Sequence, residues 1–241
     1  MRRVLLLLGV GVLGWLAGLV ALFPAERAVA WLAPEGVEVR GVGGTVWAGH
    51  AARVVSAAPA VFTDVTWDVA AGRLLTGTLA ADVELEWAGL SGEAEVWRGL
   101  GGGTGVSDLV VEGPADGIGA AVAAAGELRL SGQLLGRVER VALAEGKLTR
   151  LQGRLQWQDG AVTAPLSLPL GSVRAEAGAA EEGAGHRITL QGSGGAVELD
   201  GRVLLEPEGR YRADLRLQPT ASAPAGLRET LEMVAQSDGQ G

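Results

Sequence analysis

From Val37 onward, apolar and polar positions alternate along the chain. Leu79, Ala81, Val83, Leu85 and Trp87 alternate with Ala80, Asp82, Glu84 and Glu86, which gives a strand one apolar and one acidic face. Leu128, Leu130 and Leu134 stand opposite Glu127, Arg129, Ser131 and Gln133, and Leu151, Leu155 and Trp157 stand opposite Gln152, Arg154 and Gln156. Near the carboxyl end Val197, Leu199, Val203 and Leu205 oppose Glu198, Asp200 and Arg202. There too Tyr211, Ala213, Leu215 and Leu217 oppose Arg210, Arg212, Asp214 and Arg216. One wet face per strand argues against a parallel sheet, whose strands are buried on both sides, and for antiparallel strands joined by short turns. Glu145-Gly146, Asp159-Gly160 and Glu208-Gly209 place a glycine where a tight connection needs positive φ, and Gly192 to Gly195 supplies a looser one. The pattern predicts about eleven to fourteen strands. The fold class is mainly β, a curved and twisted antiparallel sheet, open or half-barrel, with one or two short helices.

The first residues follow a different pattern. Arg2 and Arg3 precede an uncharged apolar run of twenty residues, Val4 to Phe23. As a helix rising about 1.5 Å per residue this run covers about 30 Å, the hydrocarbon thickness of a bilayer. It reads as a single transmembrane anchor, longer than the apolar region of a signal peptide, although Ala28-Val29-Ala30 has the small-x-small form of a cleavage site. The arginines keep the amino terminus cytoplasmic, so the remaining chain is expected to be exported. The organisation is then a stub (1–3), an anchor (4–23), a juxtamembrane helix and linker (24–36), a β domain (37–218) and a carboxyl-terminal short helix and tail (219–241). Trp31 is expected either at the lipid headgroup level or packed on the protein's own sheet.

Two stretches interrupt the alternation. Gly99 to Gly105 is glycine-rich, and Pro114 to Ala125 is alanine-rich and suits one short helix before a strand from Glu127 to Leu135. They could divide lobes 37–112 and 127–218, but the shared period on both sides favours one continuous sheet. After Pro219, Leu227, Leu231 and Val234 have the spacing of a brief amphipathic helix.

Composition narrows the chemistry. The chain has no cysteine, so neither disulfides nor thiolate metal sites are available. A net charge of −8 argues against nucleic acid or an anionic lipid surface as the main partner, because phosphate neutralisation needs a basic patch. Of seven tryptophans, Trp47, Trp67, Trp87, Trp97 and Trp157 fall in or beside extended runs and read as packing residues; asparagine, which a carbohydrate platform would want beside them, is absent. His50 and His186 stand in no nucleophile or metal-ligand spacing, and there is no Gly-x-Ser-x-Gly elbow. Asp82, Glu84 and Glu86 form an acidic row that reads as a solvated face. Gly101-Gly102-Gly103-Thr104-Gly105 lacks the lysine and helix start of a phosphate loop. No enzyme activity, cofactor, metal or small-molecule substrate is expected.

The hexapeptide Gly44-Thr45-Val46-Trp47-Ala48-Gly49 follows soon after the anchor. Gly44 and Gly49 suit a bulge or close packing, with Trp47 expected to fill the core against the next strand. In this motif, Gly-Thr-x-Trp-x-Gly, the chain resembles type II secretion system protein N, also called general secretion pathway protein N. Val65-Thr66-Trp67, Leu74-Leu75-Thr76-Gly77 leading into Thr78 to Asp82, and Trp157-Gln158-Asp159-Gly160 continue the resemblance to about Gln218. It implies that Gly44, Thr45, Trp47, Gly49, Trp67, Trp157 and Gly160 are structural family positions. It also implies an accessory inner-membrane component of the apparatus that exports folded periplasmic proteins across the outer membrane, with other components of that system as partners. The alternative is an AsmA-like envelope protein that binds or transfers lipid or assists outer-membrane assembly, which the repetitive sheet behind one anchor also resembles.

Overall fold

A computed structural model describes residues 18–33, 36–56, 60–121, 128–164, 167–180, 185–223 and 226. Twelve strands form one sheet in the order in which they occur in the chain. They are β1 (Glu38–Gly44), β2 (Ala48–Val55), β3 (Val61–Val69), β4 (Thr78–Trp87), β5 (Leu90–Gly99), β6 (Thr104–Pro114), β7 (Arg129–Ala144), β8 (Lys147–Ala164), β9 (Leu168–Ala179), β10 (His186–Gly194), β11 (Val197–Leu205) and β12 (Tyr211–Pro219). Every neighbouring pair is antiparallel. The sheet is open, with β1 and β12 at its edges. β6 and β7 pair from Thr104↔Leu143 to Pro114↔Gln133, so the strands on either side of the alanine-rich stretch lie in one sheet.

Helices are few and short. Helix α1 (Ala25–Leu32) precedes β1, a 3-10 turn (Ala71–Thr76) joins β3 to β4, and α2 (Asp116–Ala121) opens the alanine-rich connection. No helix among the described residues is long and apolar enough to cross a membrane. Of the expected anchor, only its end is described: residues 18–21 are helical, and 4–17 lie outside the described residues. The expected helix with Leu227, Leu231 and Val234 also lies outside them.

Register assigns the alternating residues to faces. Val83, Ala94 and Val96 share one face with Trp67, Val106, Val141, Leu155, Leu190, Leu199 and Leu217, while Asp82, Glu84, Glu93 and Glu95 share the other with Arg137, Arg154 and Arg202. Among the described residues no second layer covers the apolar face, so its side chains are mostly half-buried by their neighbours, and Leu155, Leu215 and Leu217 stay 44%, 55% and 45% exposed. The fully buried apolar residues are mainly small ones, such as Ala51, Ala80 and Ala115, with Leu90 and Val197. One small cluster, Ala196 and Val197 with Leu168, Leu170 and Ala223, closes the end of the sheet beside the exit of β12.

The turns obey local chemistry. Glu145-Gly146 joins β7 to β8 with φ of 52° and 75°, both left-handed, as a two-residue hairpin turn matched to strand twist requires. Gly209, with φ of 85°, closes the β11–β12 turn. Asp159-Gly160 is not a turn. Both residues lie inside β8, where the pairing with β9 shifts between Trp157 and Gly160 and Asp159 takes φ of 50°, so the pair marks a bulge. Likewise the strand expected at Glu127 to Leu135 runs on as β7 to Ala144, because a matched bulge around Glu139 lets the alternation resume.

Candidate functional site in the first turn of the sheet

The β1–β2 turn is built from the Gly-Thr-x-Trp-x-Gly residues. Gly44 has φ of 84°, and a Cβ there would lie 2.6 Å from the Ala48 carbonyl oxygen, so glycine is required on both counts. The Thr45 N–H donates to the Ala48 carbonyl over 2.8 Å, and the Ala48 N–H donates to Thr45 Oγ1 over 3.1 Å. Threonine thus closes the turn with its side chain as well as its backbone.

The closed turn receives the chain arriving from the amino terminus. Pro24 bridges Thr45 in antiparallel fashion, and the Val46 N–H donates to the Phe23 carbonyl over 2.9 Å. The Trp47 indole N–H reaches back to the Val20 carbonyl at 2.7 Å, and the Trp47 carbonyl accepts from the Val69 N–H at 2.6 Å. Trp47 is therefore half-buried at a junction and does not fill the core against the next strand. The position against the facing strand goes to Trp67, also half-buried, whose ring lies over Gly49: a Cβ on Gly49 would sit 2.5 Å from Trp67 Cζ2 and 2.9 Å from the Thr45 carbonyl oxygen. An apolar cavity of about 320 Å³ opens between α1 and the sheet, lined by Ala25, Ala28, Val29, Ala33, Val37, Val39, Val46 and Trp67.

Trp157 and Gly160 lie far along the sheet and both belong to β8, where the bulge between them brings the ring over the glycine. The Trp157 ring covers Gly160, where a Cβ would lie 2.8 Å from Cδ2, and its N–H donates to the Ser131 carbonyl over 3.0 Å. Trp97 on β5 covers Gly105 on β6 as Trp67 covers Gly49, and a Cβ on Gly105 would lie 2.6 Å from Trp97 Cζ2. A tryptophan laid on a facing glycine fills the gap that the missing side chain leaves in the sheet surface. The structure thus brings Gly44, Thr45, Trp47, Gly49 and Trp67 together and leaves Trp157 and Gly160 as a separate instance. Sequence reasoning missed the role of Trp97 on Gly105, for which a Trp on one strand and a Gly on the next is the only signal.

Trp31 is 76% exposed and rests against Phe23, ring centroids 5.9 Å apart, so it does not pack on the sheet. Leu19, Val20 and Leu22 beside it are 49%, 57% and 73% exposed. The acidic row extends further than its own strand: Asp82 faces Glu95 and Asp68, and Glu84 faces Glu93. Arg73 pairs with Glu95 from the 3-10 turn. Among the described residues no group of His, Asp and Glu side chains could hold a metal ion. His50 is exposed over Gly43, and His186 is buried.

Fold and turn together define a class: an open antiparallel β-sheet protein whose first hairpin, carrying Gly-Thr-x-Trp-x-Gly, clasps the segment that precedes it. Residues 35–241 match the family model of type II secretion system (T2SS), protein N, and the chain belongs to that family. It is 30% identical over 225 residues to the type II secretion system protein N of Vibrio cholerae serotype O1 (strain ATCC 39315 / El Tor Inaba N16961), covering 90% of this chain and 87% of that one. With the type II secretion system protein N of Aeromonas hydrophila it shares 28% identity over 252 residues, covering 100% of this chain and 96% of the relative. No solved structure matches the chain. Membership makes it a component of the type II secretion system and implies partners among the other components.

Proposed function

We propose that the protein is an accessory component held in the inner membrane by a single amino-terminal anchor, with its sheet in the periplasm, where it supports export of folded proteins by protein contacts rather than by catalysis. The observation that carries this reading is the clasp. A sheet hung on a flexible linker would have no need of Trp47 reaching Val20, the Phe23 carbonyl bound by Val46, and the Pro24 bridge to Thr45. These contacts fix the sheet to the last turn of the apolar run Val4 to Phe23, as a rigid tether requires.

The acidic rows on β3 to β5 supply a surface for the protein contacts. The lipid-transfer alternative draws no support from the comparisons, since both relatives are named for secretion. Deletion of the gene in its host, followed by assay of extracellular enzymes and of the fractionated envelope, tests the reading. Loss of secretion, restored by the full chain and not by a chain lacking residues 1–23, is the expected result. Undiminished secretion in the deletion strain would overturn the accessory role. A phosphatase reporter fused after Gly241 that is inactive would overturn the periplasmic placement.

A further inference from the structure

In an antiparallel meander, alternate connections share one end of the sheet. The β1–β2, β3–β4 and β5–β6 connections therefore lie together with those of β7–β8 and β11–β12. The first of these is the turn in which Trp47 holds Val20. The next two carry large apolar tips: Leu75 in the 3-10 turn is 92% exposed and Leu100 in the β5–β6 turn is 89% exposed. They are neighbours, because the Leu100 N–H donates to the Gly77 carbonyl over 2.9 Å and its side chain lies over Gly77.

Farther from the amino-terminal segment the same end turns polar, with Glu145-Gly146 and then Glu206, Glu208 and Arg210. At the opposite end the described two-residue connections are Ala88-Gly89 and Gly195-Ala196. Single exposed leucines scattered over a surface call for no explanation. These two are not scattered. They occupy turn tips, where Gly, Asn, Asp and Ser are the usual choices, and they stand beside the corner where exposed Leu22 and Trp31 mark the chain leaving its apolar run.

We propose that this corner of the sheet rests on the lipid bilayer, with Leu75 and Leu100 immersed at the headgroup boundary alongside Leu22 and Trp31. The inference rests on the amino-terminal anchor. It adds that the sheet meets the membrane with its β1–β6 corner and tilts away toward β12. Residues 1–23 are Met1, the two arginines and the apolar run from Val4 to Phe23, so the bilayer is the apolar surface that this corner reaches.

The chain has no cysteine, which makes single labels clean. Leu75→Cys, Leu100→Cys, Glu208→Cys and Asp116→Cys in the full chain are each labelled with an environment-sensitive nitrobenzoxadiazole dye and reconstituted in vesicles of phosphatidylethanolamine and phosphatidylglycerol. Dyes at 75 and 100 are expected to emit to the blue of those at 208 and 116 and to be quenched by brominated lipid. Alkaline carbonate extraction of the same vesicles reports the anchor separately. A chain that stays in the membrane pellet with water-like emission at 75 and 100 would overturn the docking and leave the anchor standing. A chain released by carbonate would overturn both.

Discussion

The indole N–H of Trp47 donates to the main-chain carbonyl of Val20 across 2.7 Å, bridging the first hairpin of the sheet and the end of the apolar run. A hydrogen bond of this kind contributes about 1 kcal/mol net, which corresponds to about a fivefold change in a local opening equilibrium. Trp47→Phe keeps the ring and removes the donor. It is expected to leave the global melting temperature nearly unchanged while trypsin cleaves at Arg27 about five times faster. Equal cleavage rates in the two proteins would show that the clasp does not depend on this bond.

Gly49→Ala places a methyl group against Trp67 and two carbonyl oxygens of the same turn. Overpacking of this order costs about 2 kcal/mol, which lowers Tm by about 4–8 °C in a domain of this size. Trp67→Leu removes the ring that meets the new methyl group, so Gly49→Ala in that background should cost at least about 0.5 kcal/mol less than in the native one. Strict additivity in thermal melts of the full chain would mean that ring and glycine are not coupled.

Glu93 stands directly across from Glu84, and Asp82 from Glu95, on the polar face. Like charges in direct opposition destabilise a sheet by a few tenths of a kcal/mol, and an opposite pair contributes about 0.2–1 kcal/mol. Glu93→Lys is expected to raise Tm by about 1–3 °C at low salt, and the gain should shrink as salt screens the pair. A face kept acidic to receive a basic partner would lose secretion in this stabilised variant. Full secretion by Glu93→Lys would remove the acidic face from the partner-binding surface.

Much of this fold was legible because a half-buried strand writes its faces into the sequence. Leu79 to Trp87 and Val197 to Leu205 lie on the faces that their alternation predicts. What stayed hidden depends on partners distant in the chain. Asp159-Gly160 has the composition of a hairpin turn, and only the pairing of β8 with β9 shows that the chain continues straight through a bulge. The Ala88-Gly89 turn, with φ of 56° and 83°, went unread because alanine gives no sign of a left-handed backbone. At the first hairpin the motif's glycines were readable as close-packing positions. Which tryptophan fills the space could not be read, since Trp67 reaches Gly49 through strand register and Trp47 turns back to a residue far upstream.

The Gly146 position in the β7–β8 turn offers a test of backbone chemistry, while the next two residues tie the hairpin to the β11–β12 turn, Lys147 pairing with Glu208 and the Leu148 N–H donating to the Pro207 carbonyl over 3.0 Å. Glu145 holds φ of 52° and Gly146 φ of 75°, and a Cβ on Gly146 would meet nothing within 4 Å, so only backbone preference decides the cost of a substitution there. Asparagine adopts the left-handed region more readily than glutamate and is the favoured first residue of this turn type. Glu145→Asn is therefore expected to stabilise the protein by about 0.5 kcal/mol, and Gly146→Ala to destabilise it by about 1 kcal/mol. β7 and β8 are the longest strands of the sheet and meet at this turn, so both changes should appear in the main unfolding transition measured by denaturant titration. If Gly146→Ala shifts only local hydrogen exchange near the turn and leaves the midpoint unchanged, the hairpin tip frays independently of the sheet, and the regular pairing of β7 with β8 below it carries the stability alone.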